Sequence, residues 1–144
     1  MIQESYYWKA PLLRAANWLE RLRIEESTAE HSLVRAVRDL IVGFYAIRKL
    51  WRRLSSPPAQ KNMKFSLTSS SCIKMVDYMN AHRVEKLFDL AVTHVEEHNL
   101  EFLCNQFIHS YVFVTAQQED GSLAGAYVSS DRARKDKVFF VEIA

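Results

Sequence analysis

Asn105 and His109 stand four positions apart, the spacing that brings two side chains to one face of a helix. An amide and an imidazole so placed can hold a polar group and pass a proton, because histidine titrates near neutral pH. They are the candidate catalytic residues of this chain. A second set, His94-Val95-Glu96-Glu97-His98, follows the H-x-x-E-H order in which two histidines one helical turn apart bind zinc and a glutamate activates water. His94 and His98 fall at the edge of the apolar stripe Val84, Leu87, Phe88, Ala91 and Val95, so a solvated or core-edge helix face is expected there. No metal and no cofactor is assigned.

Arg48, Lys49, Arg52 and Arg53 close one helical segment, with Arg35 and Arg38 a few turns earlier. Clustered cations of this kind are a candidate polyanion site, with nucleic acid as the natural ligand class. The competing structural role is favoured, because cations in a last helical turn complement the macrodipole and long arginine stems cover apolar surface. Nucleophilic chemistry has less to stand on. Ser69-Ser70-Ser71-Cys72 has no glycine elbow, and three glycines in all leave no Gly-rich phosphate loop.

The run Cys104-Asn105-Gln106-Phe107-Ile108-His109 resembles the R-N-x-x-x-H signature of the HEPN superfamily. Those are helical bundles that include RNases, nucleotide-binding members and members that only bind protein. The resemblance implies that the motif lies on a late helix and faces its copy across a homodimer. Asn105 and His109 match, whereas Cys104 stands where the family carries its arginine. Without that cation the histidine lacks the group that would hold phosphate or transition-state charge. The resemblance therefore implies a binding or assembly module first, and an RNase or nucleotide-processing protein only if a cation comes from elsewhere.

Composition sets the frame for these residues. The 144 residues are 49% hydrophobic and 25% charged with a formal net charge of +2, which fits one globular domain and argues neither for disorder nor for a polyanion-coating surface. Cys72 and Cys104 form no Cys-x-x-Cys pair and no disulfide framework. The start of the chain lacks a signal-peptide pattern and the longest apolar run, Leu40 to Ile47, is too short to span a bilayer. A cytoplasmic protein with reduced thiols is the expectation.

The elements that must position the candidate residues follow from periodicity. Pro11 suits a first helical turn, and Leu12, Ala15, Ala16, Leu19 and Leu22 continue a helix over about 11–24. Ser27-Thr28-Ala29-Glu30 reads as a capping box opening a helix over about 28–54, which Ser55-Ser56-Pro57-Pro58 terminates. Along it Leu33, Val37, Leu40, Phe44, Ile47, Trp51 and Leu54 alternate steps of four and three, a heptad seam about 40 Å long. Gly43 lowers local helix propensity by about 1 kcal/mol relative to alanine, and marks a place for another helix to cross. Lys64 to Thr68 reads as a short extended piece in a polar, serine-rich stretch. Helices are expected over about 71–79, 84–98 and 100–109, with a break near Asn99.

From Ser110 onward the apolar residues alternate as strands do, over about 111–117, 123–129 and 137–143. Asp120-Gly121 supplies the first turn and Ser130 to Asp136 a longer charged loop. The fold class is thus α+β: a four- to five-helix bundle followed by a C-terminal three-stranded antiparallel meander, in a single domain over 1–144. An open sheet edge and exposed aromatic residues lead us to expect a homodimer, with a protein partner ahead of nucleic acid and no membrane.

Overall fold

The computed structural model describes residues 2–25, 29–53 and 63–142, with side chains described over 10–25, 30–49 and 63–142. Two helices open the chain, α1 (Ile2–Arg21) and α2 (Ala29–Arg53). Strand β1 (Lys64–Ser71) follows, then a single helical turn α3 (Val84–Leu87) and strand β2 (His94–Asn99). Helix α4 (Leu100–Ile108) leads into β3 (Ser110–Gln117), β4 (Leu123–Ser130) and β5 (Lys137–Glu142), with a 3-10 turn at Ala133–Lys135 before the last strand. The class is α+β, with helices leading and the antiparallel meander β3-β4-β5 closing the chain, as the periodicity indicates.

That meander belongs to a larger sheet. Its five strands are ordered β2-β1-β5-β4-β3 and every neighbouring pair is antiparallel. α2 and α4 cover one face, with α1 packed on α2, and the segment from Cys72 through Leu90 covers part of the other.

Three aromatic rings tie the helices to the sheet. Phe44 of α2 stacks on Phe107 of α4 at 4.1 Å between centroids and 8° between planes, and Phe107 meets Phe113 of β3 edge-on at 5.4 Å. Leu67, Leu103, Ala126, Val128 and Phe139 complete this core. Leu19, Leu22, Ala36, Leu40 and Leu123 form a second core, between α1, α2 and the β3–β4 hairpin. The tip of that hairpin is fixed by Gly121, whose φ of +84° suits a turn glycine. A Cβ there would come within 2.7 Å of the Ile24 carbonyl.

Several elements differ from the sequence expectation. α1 starts at Ile2 and carries Pro11 inside it, so the helix tolerates one missing backbone bond rather than beginning there. It ends at Arg21 rather than near 24, where Ile24 N–H instead donates to the Gly121 carbonyl (2.8 Å).

The helix expected over 71–79 is absent. Ser71 ends β1, Cys72 bridges to Phe88, and the Ile73 and Lys74 amides donate to the Leu87 carbonyl. Asp77 and Asn80 add side-chain bonds to the Met79, Asn80 and Asp77 amides, the competition that draws Asx residues out of helices.

Of the helix expected over 84–98 only Val84–Leu87 forms, and His94–Asn99 pairs as a strand with Lys64–Ser69. There tertiary pairing overrides a local pattern compatible with either period. The break near Asn99 is real: its Oδ1 accepts from Phe102 N–H (2.9 Å) and caps α4.

The capping residues Ser27 and Thr28, the Ser55 to Pro58 stop, Leu54 of the seam and Ile143 lie outside the described residues, as does the Trp51 side chain. Among the described residues no helix is long and apolar enough to cross a membrane.

Two substitutions one residue apart separate the seam from its surroundings. Phe44→Ala removes the ring stacked on Phe107 and should lower stability by about 3–5 kcal/mol in chemical denaturation. At Gly43 a Cβ would lie 3.5 Å from Leu12 Cδ2, ordinary contact at the α1 crossing. Gly43→Ala should therefore raise stability, by up to about 1 kcal/mol.

Candidate functional site

α4 is wedged between α2 and the sheet, which leaves it little open surface: Leu103, Cys104, Gln106 and Phe107 are all buried. Its C-terminal end is pinned from two sides. Ser130 N–H donates to Gln106 Oε1 (2.9 Å), and Asp131 N–H donates to the His109 carbonyl (3.0 Å). His109 is the C-cap residue, its own amide bonding to the Asn105 carbonyl at 3.0 Å. Its ring is exposed and makes no hydrogen bond among the described residues.

Asn105 points elsewhere. Its Oδ1 is buried and, among the described residues, unpaired, and the same is true of Arg48 Nε on the facing helix. Arg48 is close enough to act on the Cys104 thiol: burial pushes that thiol up to about 11, against the pull of the Arg48 charge. The charge of an α2 cation is thus felt at the position where the resembled motif carries arginine. Phe102, which a helical wheel groups with Asn105 and His109, instead packs toward the sheet. It stacks on His98 at 3.7 Å and meets Phe139 edge-on at 5.3 Å.

The basic end of α2 divides. Arg48 is partly buried toward α4, whereas Lys49 is exposed with its Nζ 5.6 Å from the Tyr45 ring. The side chains of Arg52 and Arg53 lie outside the described residues. Earlier in α2, Arg35 sits over Trp18 at 3.9 Å, and both Arg35 and Arg38 approach Asp39 at 3.8 Å. Arg35 thus packs α1 on α2, while Arg38 pairs within α2.

The H-x-x-E-H run lies on β2, where residues alternate between faces. His94 and His98 are therefore not one helical turn apart, and the zinc geometry is lost. Among the described residues no group of three His, Cys, Asp or Glu could hold a metal ion. The strand makes a different polar cluster, one the sequence reading missed. Glu96 Oε1 lies 3.2 Å from His98 Nε2, and Lys137 Nζ of β5 donates to Glu96 at 3.1 Å. Burial pushes the Glu96 carboxyl up, but hydrogen bonds from Ser69, Lys137 and His98 outweigh it and hold the group below its ordinary value of 4.5. The alternation His-x-Glu-x-His was the available signal; the Lys137 partner, on another strand, had none.

Two recesses stand out among the described residues. One, of about 420 Å³, is lined by Cys72, Ile73, Lys74, Met75, Val76, Arg134 and Lys135 at the end of the sheet where β1 leaves and β5 enters. The other, of about 660 Å³, opens between α2, α4 and the diverging ends of β1 and β5, with Phe44, Ile47, Leu67, Leu103 and Val141 among its walls. Neither brings a nucleophile, a base and a cation together. Comparison with protein-family models, with curated proteins and with solved structures finds no match for this chain.

The Glu96 cluster has a pH signature. A carboxylate held below its ordinary value stabilises the fold fully above 4.5 and loses that contribution as pH falls through the folded value. Replacing Lys137 by Met should lower the melting temperature near neutral pH by about 1–3 °C, discounted for partial exposure. The deficit should shrink in melts run well below pH 4.5, once Glu96 is protonated in both states. A deficit constant across that range would mean Lys137 acts through packing.

Proposed function

We propose that this chain is a non-enzymatic binding and assembly module that works as a homodimer in the cytoplasm, a HEPN-like protein without nuclease activity. The observation that carries the reading is the character of β3. It is an edge strand of eight residues, Ser110–Gln117, pairing with β4 alone, and it contains no charged side chain. The opposite edge, β2, carries His94, Glu96, Glu97 and His98, the kind of charge that discourages edge pairing. An uncharged edge is the better template for a second strand, and β3 against β3 of a second copy gives an antiparallel, isologous pair. His109, exposed at the helix end with no cation bonded to its ring among the described residues, fits binding better than proton transfer. Two unpaired thiols fit a reducing compartment.

One observation favours a second reading, a HEPN-like RNase or nucleotide-processing protein. The Arg48 charge reaches the Cys104 thiol, which makes α2 a source of the missing cation. In that case labelled RNA would be cut by the wild type, and both Arg48→Ala and His109→Ala would abolish cutting without unfolding the chain.

Sedimentation velocity decides the first reading. The wild type should run as a dimer at tens of micromolar, and Thr115→Lys, which places a charge in the middle of β3, should run as a monomer with an unchanged circular dichroism spectrum. Wild-type protein should leave RNA intact. A wild type that remains monomeric throughout would remove the β3 interface.

A further inference from the structure

The segment after β1 displays Ile73, Met75, Tyr78 and Met79 with 65%, 81%, 83% and 70% of their surfaces exposed. Apolar exposure this dense is unusual for a monomer surface and marks interaction sites. Here it is presented on a fixed backbone. Cys72 N–H donates to the Asp136 carbonyl (2.8 Å), Ile73 N–H to the Leu87 carbonyl (2.8 Å) and Asn80 Nδ2 to the Met75 carbonyl (3.0 Å). Arg134 completes the clamp, donating from Nη1 to the Val76 carbonyl while its guanidinium lies 4.0 Å from the Tyr111 ring centroid. Val76 itself is buried in the core of this face. Side chains held out on such a scaffold need little ordering when they bind, which is where loops otherwise lose affinity.

Charge identifies the partner. The recess at the foot of this segment has Ile73, Met75 and Val76 as its apolar walls, with Lys74, Arg134 and Lys135 beside them. Arg134 is committed to Asp131 at 3.1 Å. Lys74 and Lys135 take part in no ion pair among the described residues and remain available. No carboxylate is among the described residues that line the recess, and two such cations at one small apolar recess match a peptide bearing a few carboxylates better than the long cationic track a phosphate backbone needs. A second copy of this surface would set cation against cation.

We infer that Ile73, Met75, Tyr78 and Met79, with Lys74 and Lys135, dock a segment of another protein that carries an apolar anchor flanked by acidic side chains. The anchor enters the recess, where methionine adapts to varied shapes, and the carboxylates meet the two lysines. None of the docking residues is on β3, although Arg134 of the clamp packs on Tyr111 of that strand.

The test uses the full chain and a short fluorescein-labelled peptide alternating leucine with glutamate, followed by fluorescence anisotropy. A peptide with lysine in place of glutamate and a labelled oligouridine serve as competing probes. The acidic peptide should bind saturably and the basic one should not. Lys74→Glu with Lys135→Glu should weaken binding by about tenfold, less at high salt. Met75→Ser should weaken it by about tenfold as well, through lost apolar burial. Met79→Ser provides a second exposed position if Met75→Ser disturbs the fold. No binding of the acidic peptide, equal binding of the basic one, or loss on charge reversal without loss in either serine variant would overturn the inference. Oligouridine binding that survives Met75→Ser would assign the surface to nucleic acid instead.

Discussion

The contact between Phe44 and Phe107 holds α2 onto α4, and the edge-on approach of Phe113 carries the same column of rings into the sheet. Nearly everything else in the arrangement depends on it. With α4 fixed by its two neighbours, Asn105 has its Oδ1 buried, Phe102 packs on Phe139, and His109 is left at the exposed end where the chain turns into β3. Aromatic pairs add to the area they bury through their offset and edge-on geometry, so the column both stabilises the layers and sets their relative angle. Its third ring belongs to the edge strand, which ties the order of β3 to the core.

The same constraint leaves the two ends of the sheet with different characters. β2 is short and charged, its Glu96 engaged by Lys137 across the sheet. β3 is longer, uncharged and open on one side. At the end of the sheet near the 3-10 turn, Arg134 binds the Val76 carbonyl, Val76 is buried, and Ile73 and Met75 stay exposed. The proposed assembly edge and the inferred docking surface can therefore coexist on one chain without sharing residues. Neither requires the Asn105–His109 pair to perform chemistry.

How much of this the sequence reveals depends on the range of the interactions. The α2 seam, the last helix and the meander all rest on local periodicity, and Leu40 and Phe44 of the seam are packed where that periodicity places them. β1 is legible only in part: Lys64 to Thr68 reads as extended, but Ser69 and Ser70 are buried at its end, where apolar residues would ordinarily announce a strand. β2 is hidden by ambiguity, since His94 to His98 can alternate or recur by fours. The exposed segment at 73–79 was obscured for a related reason, its apolar residues being equally compatible with a buried helix face. The site shows the same division. Asn105 and His109 are neighbours by local spacing, but the approach of Arg48 from α2 and of Lys137 to Glu96 are long-range facts that only the fold supplies.

The claim on which the functional account turns is that β3 pairs with its copy, and amide hydrogen exchange followed over a range of protein concentration reads that pairing directly. The account predicts that amides within Tyr111 to Ala116 become more protected as concentration rises while those of β4 and β5 stay unchanged, because dimerisation satisfies the outward groups of one strand only. Amides of β3 that exchange at the same rapid rate at every concentration would contradict it.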